Sequence, residues 1–124
     1  MKKLILGFIL LTLSTTAFSL NYNAVAINQY APRAVSACHE AERIKYKGKP
    51  GNLQGKLNLC KLYLNKTSYY ARRLYNTKDG YRMERIVKYD VPNALRYANQ
   101  GEPTGARRNA ERAWGEVVAW KKKN

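Results

Sequence analysis

The chain has 124 residues, with 23 Lys+Arg against 8 Asp+Glu, two Cys and a single His, which leaves room for one small domain. A hydrophobic fraction of 45% excludes a wholly disordered chain, while 25% charged residues and a formal charge of +15 exclude a multi-span membrane protein. The surplus of positive charge makes an anionic partner the first expectation, whatever the fold.

Met1-Lys2-Lys3 precedes an apolar run, Leu4 to Leu13, and then a small and polar run, Ser14 to Ser19. This is the pattern of a secretory signal peptide. The apolar run is shorter than the ~20 residues of a membrane span. Ala17 and Ser19 supply the small side chains that a signal peptidase requires before its cut, and no Cys follows for lipid attachment. The chain therefore divides into a signal peptide, residues 1–19, and one small domain, residues 20–124, placed in a periplasm or outside the cell. That domain carries 21 basic groups against 8 acidic, a net +13 on 105 residues, and its aromatic residues are all Tyr or Trp. About 100 residues bury only some 60–70% of their unfolded surface, so a covalent clamp would matter.

Cys38 and Cys60 are the only cysteines. In an oxidising compartment they are read as one disulfide of unique connectivity. Between them, Lys47-Gly48-Lys49-Pro50-Gly51-Asn52 is a turn by composition. Position 49 is eleven residues from each Cys, so an antiparallel hairpin turning there brings both sulfurs to one height. Ala34, Ala37, Cys38, Ala41 and Ile44 recur at helical intervals, with Pro32 near the expected helix start. Leu53, Leu57, Cys60, Leu64, Ala71 and Leu74 form the matching stripe of a helix over 53–75. The expected fold is mainly α, a small helical domain built on a disulfide-clamped helical hairpin.

Beyond Asp79-Gly80, a turn signal, the periodicity is ambiguous. Tyr81, Met83, Val87 and Tyr89 alternate as in a strand, so an α+β alternative keeps a β-hairpin near residues 69–89. Asp90-Val91-Pro92 reads as N-cap and first turn of a short helix through Ala98, stopped by Gly101. Ala106, Ala110, Ala113, Val117 and Trp120 mark a last helix, with Thr104 as its cap and Lys121-Lys122-Lys123 complementing its dipole.

The chemistry is sparse. His39, the only histidine, falls on the outward side of the first helix and cannot supply a pair of bases. A disulfide would consume any thiol nucleophile. Two Cys and one His match no structural zinc spacing, so neither metal nor cofactor is expected. The eight carboxylates are scattered. The Gly-rich stretch 48–56 breaks the phosphate-loop pattern, since Leu57 stands where a hydroxyl is needed. Asn65-Lys66-Thr67 is a glycosylation triplet with meaning only in a eukaryotic secretory pathway.

What remains is charge. A helix over 53–75 with Cys60 and Leu64 inward displays Lys61, Asn65, Lys66, Tyr69, Arg72 and Arg73 on its opposite side. Guanidinium groups grip phosphates and carboxylates, and a tyrosine ring adds a planar contact. These six residues are the candidate binding surface. Arg82, Arg85, Lys88, Arg96, Arg107, Arg108 and Arg112 extend the basic inventory. The primary expectation is an exported, non-catalytic binding protein that engages an acidic protein or an anionic polymer, be it envelope, nucleic acid or membrane surface. Two alternatives stand beside it: a secreted basic hydrolase or toxin of nuclease type, and a periplasmic inhibitor, immunity protein or chaperone.

Overall fold

A computed structural model describes the backbone of residues 2–124 and the side chains of residues 22–124; the segment read as a signal peptide lies outside the described side chains. Among the described residues every regular element is helical. They are α1 (Lys2–Tyr46), α2 (Leu53–Arg72), α3 (Tyr81–Arg85), a π-helical turn over Ile86–Asp90, α4 (Val91–Asn99) and α5 (Pro103–Lys122). α1 packs along both α2 and α5, and α4 packs against α5 and α2.

Cys38 of α1 and Cys60 of α2 are bonded, with their Cα atoms 4.9 Å apart and both side chains fully buried. The disulfide-clamped helical hairpin is thus present, and its turn occupies the expected residues. A disulfide of this kind suits an oxidising, non-cytoplasmic compartment. The Arg43 carbonyl accepts from both Lys47 and Lys49 as α1 ends. Lys49 also reaches back to the Glu40 carboxylate. Asn52 then opens α2, its Oδ1 accepting from the Gly55 N–H at 3.0 Å and satisfying one of the amides that a helix start leaves unpaired.

Four local expectations are corrected. Pro32 does not stand at a helix start but inside α1, which runs through it. An interior proline removes one hydrogen bond and costs ~3 kcal/mol, so local preference favours a break there. Burial of Ile27, Ala31 and Ala34 on either side holds the helix together instead. The β-hairpin near 69–89 is absent: α2 ends at Arg72, residues 73–80 turn, and Tyr81 starts a helical run that continues to Asn99. Met83 and Ile86 face the core at a spacing of three, so the helical period prevailed over the alternation.

Asp90 does not cap a new helix. Its backbone is already helical, with φ −65°, and its side chain makes no capping bond. The Asp-Val-Pro signal marks a π-turn, in which the Val91 N–H bonds the Ile86 carbonyl five residues back. Pro92 follows directly. Its ring would collide with the carbonyl four residues earlier in a regular α-helix, and the wider turn just before it relieves that clash. Thr104 is likewise not a cap: α5 starts at Pro103, and Glu102 stands at the cap position without a side-chain capping bond.

Gly101 does stop α4, as expected. With φ +73° it lets the Gly101 and Glu102 amides bond the Ala98 and Tyr97 carbonyls, the Schellman arrangement. The turn before α3 is tied down by Thr77, whose hydroxyl donates to the Leu74 carbonyl and accepts from Trp120 Nε1 at 2.7 Å.

The core is small in two senses. Of 22 buried apolar residues among those described, 11 are Ala. Alanine lets helices approach closely but removes little apolar surface from water. Ile27, Leu64, Leu74, Met83, Ile86, Val117 and Trp120 contribute most of the volume.

Reduction of the Cys38–Cys60 bond, or its replacement by Cys38→Ala with Cys60→Ala, is expected to cost about 3 kcal/mol, a fall in Tm on the order of 10–20 °C for a domain of this size. Thermal melts by circular dichroism with and without reductant check this. An unchanged Tm would show that the α1–α2 contact does not depend on the bond.

Candidate functional site

On α2 the residues Leu57, Cys60, Leu64, Thr67 and Ala71 are buried. Helical geometry therefore turns Leu62, Asn65, Tyr69, Arg72 and Arg73 outward, and all five are exposed. Tyr63 and Tyr70 lie on the shoulder facing α1, where they meet Tyr30. The Tyr30 and Tyr70 rings are stacked, centroids 5.7 Å apart and planes within 2°. Tyr63 lies 6.2 Å from Tyr30 on a tilted plane. Tyr22 and Tyr69 each meet Tyr70 edge to face, at 6.0 and 5.0 Å. Five tyrosines thus form one continuous ladder across the α1–α2 seam.

Cations sit on this ladder. Lys66 Nζ and the Arg33 guanidinium lie 5.3 and 5.7 Å from the Tyr30 centroid, and Arg73 lies 4.8 Å from that of Tyr69. Each such contact is worth ~0.5–1 kcal/mol at an exposed site, enough to hold a long side chain in place without cancelling its charge. The Tyr22 and Tyr70 hydroxyls are 3.5 Å apart. Their hydrogen bond, with burial second, pushes the Tyr70 hydroxyl up to about 12, so it stays neutral and adds no negative charge to the face.

The six candidate binding residues therefore divide. Lys66, Tyr69 and Arg73 come together on the ladder, and Asn65 joins Leu62, Lys66, Tyr69 and Tyr70 around an open cleft of about 320 Å³. Lys61 turns away and donates to Asn99 Oδ1 at 3.2 Å, bridging α2 to the end of α4. Arg72 is exposed but takes no part in the ladder. The sequence reading missed Tyr22, Tyr30, Arg33, Tyr63 and Tyr70. Their signal was spacing: Tyr63 and Tyr70 are seven apart and Tyr22 and Tyr30 eight apart, about two turns in each arm of the hairpin.

The charge is sharply segregated. Seven of the eight carboxylates lie within 4 Å of a cation: Glu40, Glu42, Asp79, Glu84, Glu102, Glu111 and Glu116. They engage Arg43, Lys45, Lys49, Arg82, Arg85, Lys88 and Arg107, with His39 Nδ1 also 3.4 Å from Glu42. The other 14 of the 21 described Lys and Arg have no such partner. No Asp or Glu occurs anywhere from residue 43 to residue 78, which explains why the α2 face is uncompensated.

Asp90 is the one carboxylate without an ion-pair partner. Half-buried beside α5, its carboxyl is pushed up to about 6, by burial first and the Glu116 charge second, against the pull of Arg112 and Arg85. His39 is exposed as expected. Among the described residues no three His, Cys, Asp or Glu side chains gather as metal ligands would, and no helix is long and apolar enough to cross a membrane. Comparison with known protein families, with curated proteins and with solved structures finds no match.

Because the Asp90 carboxyl titrates higher folded than its ordinary value of 3.8, the folded state holds that proton more tightly. The contribution to stability is greatest below pH ~4 and is lost as pH rises through ~6. Asp90→Asn is expected to raise Tm relative to the parent at about pH 7.5, with the difference shrinking toward pH ~4. Paired melts across that range check it, and a difference independent of pH would remove the assignment.

Proposed function

We propose that the chain is an exported, non-catalytic binding protein that docks an acidic protein or an anionic envelope polymer on the α1–α2 face. Export rests on the signal-peptide pattern of residues 1–19, with cleavage after Ser19, and the Cys38–Cys60 bond accords with a periplasmic or extracellular site. The single observation that carries the binding reading is the tyrosine ladder with Arg33, Lys66 and Arg73 held over its rings and no carboxylate within 4 Å of any of the three.

The mechanism is electrostatic capture followed by planar contact. Fourteen unpaired cations raise the local concentration of a polyanion and speed its encounter with the surface. Once it is there, charges on short tethers can engage carboxylates or phosphodiesters, while exposed Tyr69 and the Leu62–Asn65 cleft receive the apolar or sugar parts between them. No bond is made or broken.

Binding to poly-glutamate and to polyphosphate should be saturable at low salt and weaken steadily as salt rises, because screening shortens the reach of these charges. The double variant Lys66→Gln with Arg73→Gln should bind about tenfold more weakly, from ~1.4 kcal/mol shared by two exposed contacts. Titration calorimetry in a salt series measures both. No binding at the lowest salt, or full affinity in the double variant, removes the reading. Mass spectrometry of the exported protein should find residues 20–124 with both cysteines oxidised.

A further inference from the structure

A second group of free cations lies away from the tyrosine ladder. Arg96 of α4 and Arg108 and Arg112 of α5 line an open groove of about 380 Å³ between those helices, with Asn93, Tyr97 and Gly105. Arg108 and Arg112 are one turn apart on the same helix face. None of the three arginines is within 4 Å of a carboxylate. Two carboxylates are near enough to matter, and neither pairs with these arginines. Glu102, itself part of the groove lining, accepts from Lys45 Nζ at 3.2 Å and the Tyr46 hydroxyl at 2.9 Å. Asp90 acts on Arg112 only from beyond ion-pair distance.

The groove is built rather than incidental. A Cβ at position 105 would come within 2.4 Å of the Tyr97 ring, so only glycine lets Tyr97 lie flat on α5. Tyr97 in turn carries the Arg96 guanidinium 5.4 Å from its centroid. Asn109 is buried beneath, its Nδ2 donating to the Gly105 carbonyl at 2.8 Å. The floor and one arginine are therefore held in place before any ligand arrives, which lowers the ordering cost of binding.

We propose that this groove binds a phosphate monoester group, with Arg96, Arg108 and Arg112 as the residues that hold it. A phosphoryl group presents three strong acceptor oxygens and nearly two charges, whereas a carboxylate presents two oxygens and one. Three guanidinium groups lining one groove match the former in charge and donor number, each able to offer paired N–H donors. A volume of about 380 Å³ lies at the lower end of small-molecule sites, so the group can bring a small polar remainder that Asn93 and Tyr97 would contact. The ester can come from a soluble metabolite or from a lipid headgroup.

The test is an amide-resolved NMR titration of the disulfide-bonded domain with inorganic phosphate, glycerol 3-phosphate and acetate, and a sedimentation assay with phosphatidylcholine vesicles containing phosphatidic acid. Phosphate and glycerol 3-phosphate should give saturable shifts centred on Tyr97, Gly105 and Asn109, with acetate much weaker. Arg108→Gln and Arg112→Gln should each weaken phosphate about tenfold or more, the loss of one charge-assisted contact. Lys66→Gln with Arg73→Gln should leave it unchanged, so this result stands or falls separately from the polyanion reading. Vesicle binding lost in the same arginine variants assigns the ester to a lipid; binding of the soluble esters alone assigns it to a free metabolite. The absence of saturable groove shifts in the parent, equal affinity for acetate, or parent-like affinity in folded arginine variants would each overturn the proposal.

Discussion

An alanine-lined core can bring helices close, but it cannot hold them there cheaply. Burial of a methyl group removes a fraction of the apolar area that a leucine removes, and half of the buried apolar residues described here are alanines. The Cys38–Cys60 bond supplies what that core lacks, since it restricts the unfolded chain without requiring more buried surface. It also sets the seam on which the surface chemistry is built. With Cα atoms 4.9 Å apart at the clamp, α1 and α2 run near enough for Tyr30 to stack on Tyr70 and for Lys66 of one helix to lie over a ring of the other.

The same constraint bears on electrostatics. Fourteen unpaired cations repel one another, and in most small domains interspersed carboxylates would relieve that repulsion. Here the carboxylates are engaged elsewhere, joining α1 to α5 through Glu42–Arg107 and α3 to α5 through Arg82–Glu116. These part-buried pairs tie the helices together, and they determine where the positive field remains open. On the α1–α2 face the tyrosine rings offset the repulsion in part, because a ring's negative face attracts a cation without neutralising it. A covalent seam and aromatic seats let this fold keep a cationic surface that carboxylates would otherwise have cancelled.

The parts legible in the sequence were those governed by spacing. Two cysteines equidistant from a Gly-Pro turn determine a hairpin almost irrespective of what surrounds it, and the stripes around Cys38 and Cys60 repeat at an unambiguous interval. The Ala106-to-Trp120 stripe was equally clear. Legibility failed where a local preference met a tertiary override. Pro32 and Pro92 are helix breakers by intrinsic chemistry, and both are carried inside helical runs, one by burial of its neighbours and the other by a widened turn. The alternation of Tyr81, Met83, Val87 and Tyr89 imitated a strand only because the rings at 81 and 89 are exposed and were counted as apolar. Site prediction failed similarly by half. A face drawn on one helix includes Lys66, Tyr69 and Arg73 but cannot include Tyr30 and Arg33, which belong to the other arm and become neighbours only after the hairpin closes.

Arginine in this domain is sorted by partner rather than by number. Arg82, Arg85 and Arg107 are structural, each within reach of a carboxylate on another helix. Arg33 and Arg73 rest on rings, and Arg108 and Arg112 have neither carboxylate nor ring. A guanidinium that is unpaired and exposed keeps its hydration until something better arrives, and its planar fork makes a phosphate or carboxylate that better partner. Total charge therefore says little about where this protein would bind. The informative quantity is the charge left after internal pairing, and six of the fourteen unpaired cations lie on two surfaces shaped by tyrosines, Arg33, Lys66 and Arg73 on the α1–α2 ladder and Arg96, Arg108 and Arg112 in the groove closed below by Tyr97. In both places a ring sets the position of a cation while leaving its hydrogens free, as at Tyr30 for Lys66 and Tyr97 for Arg96.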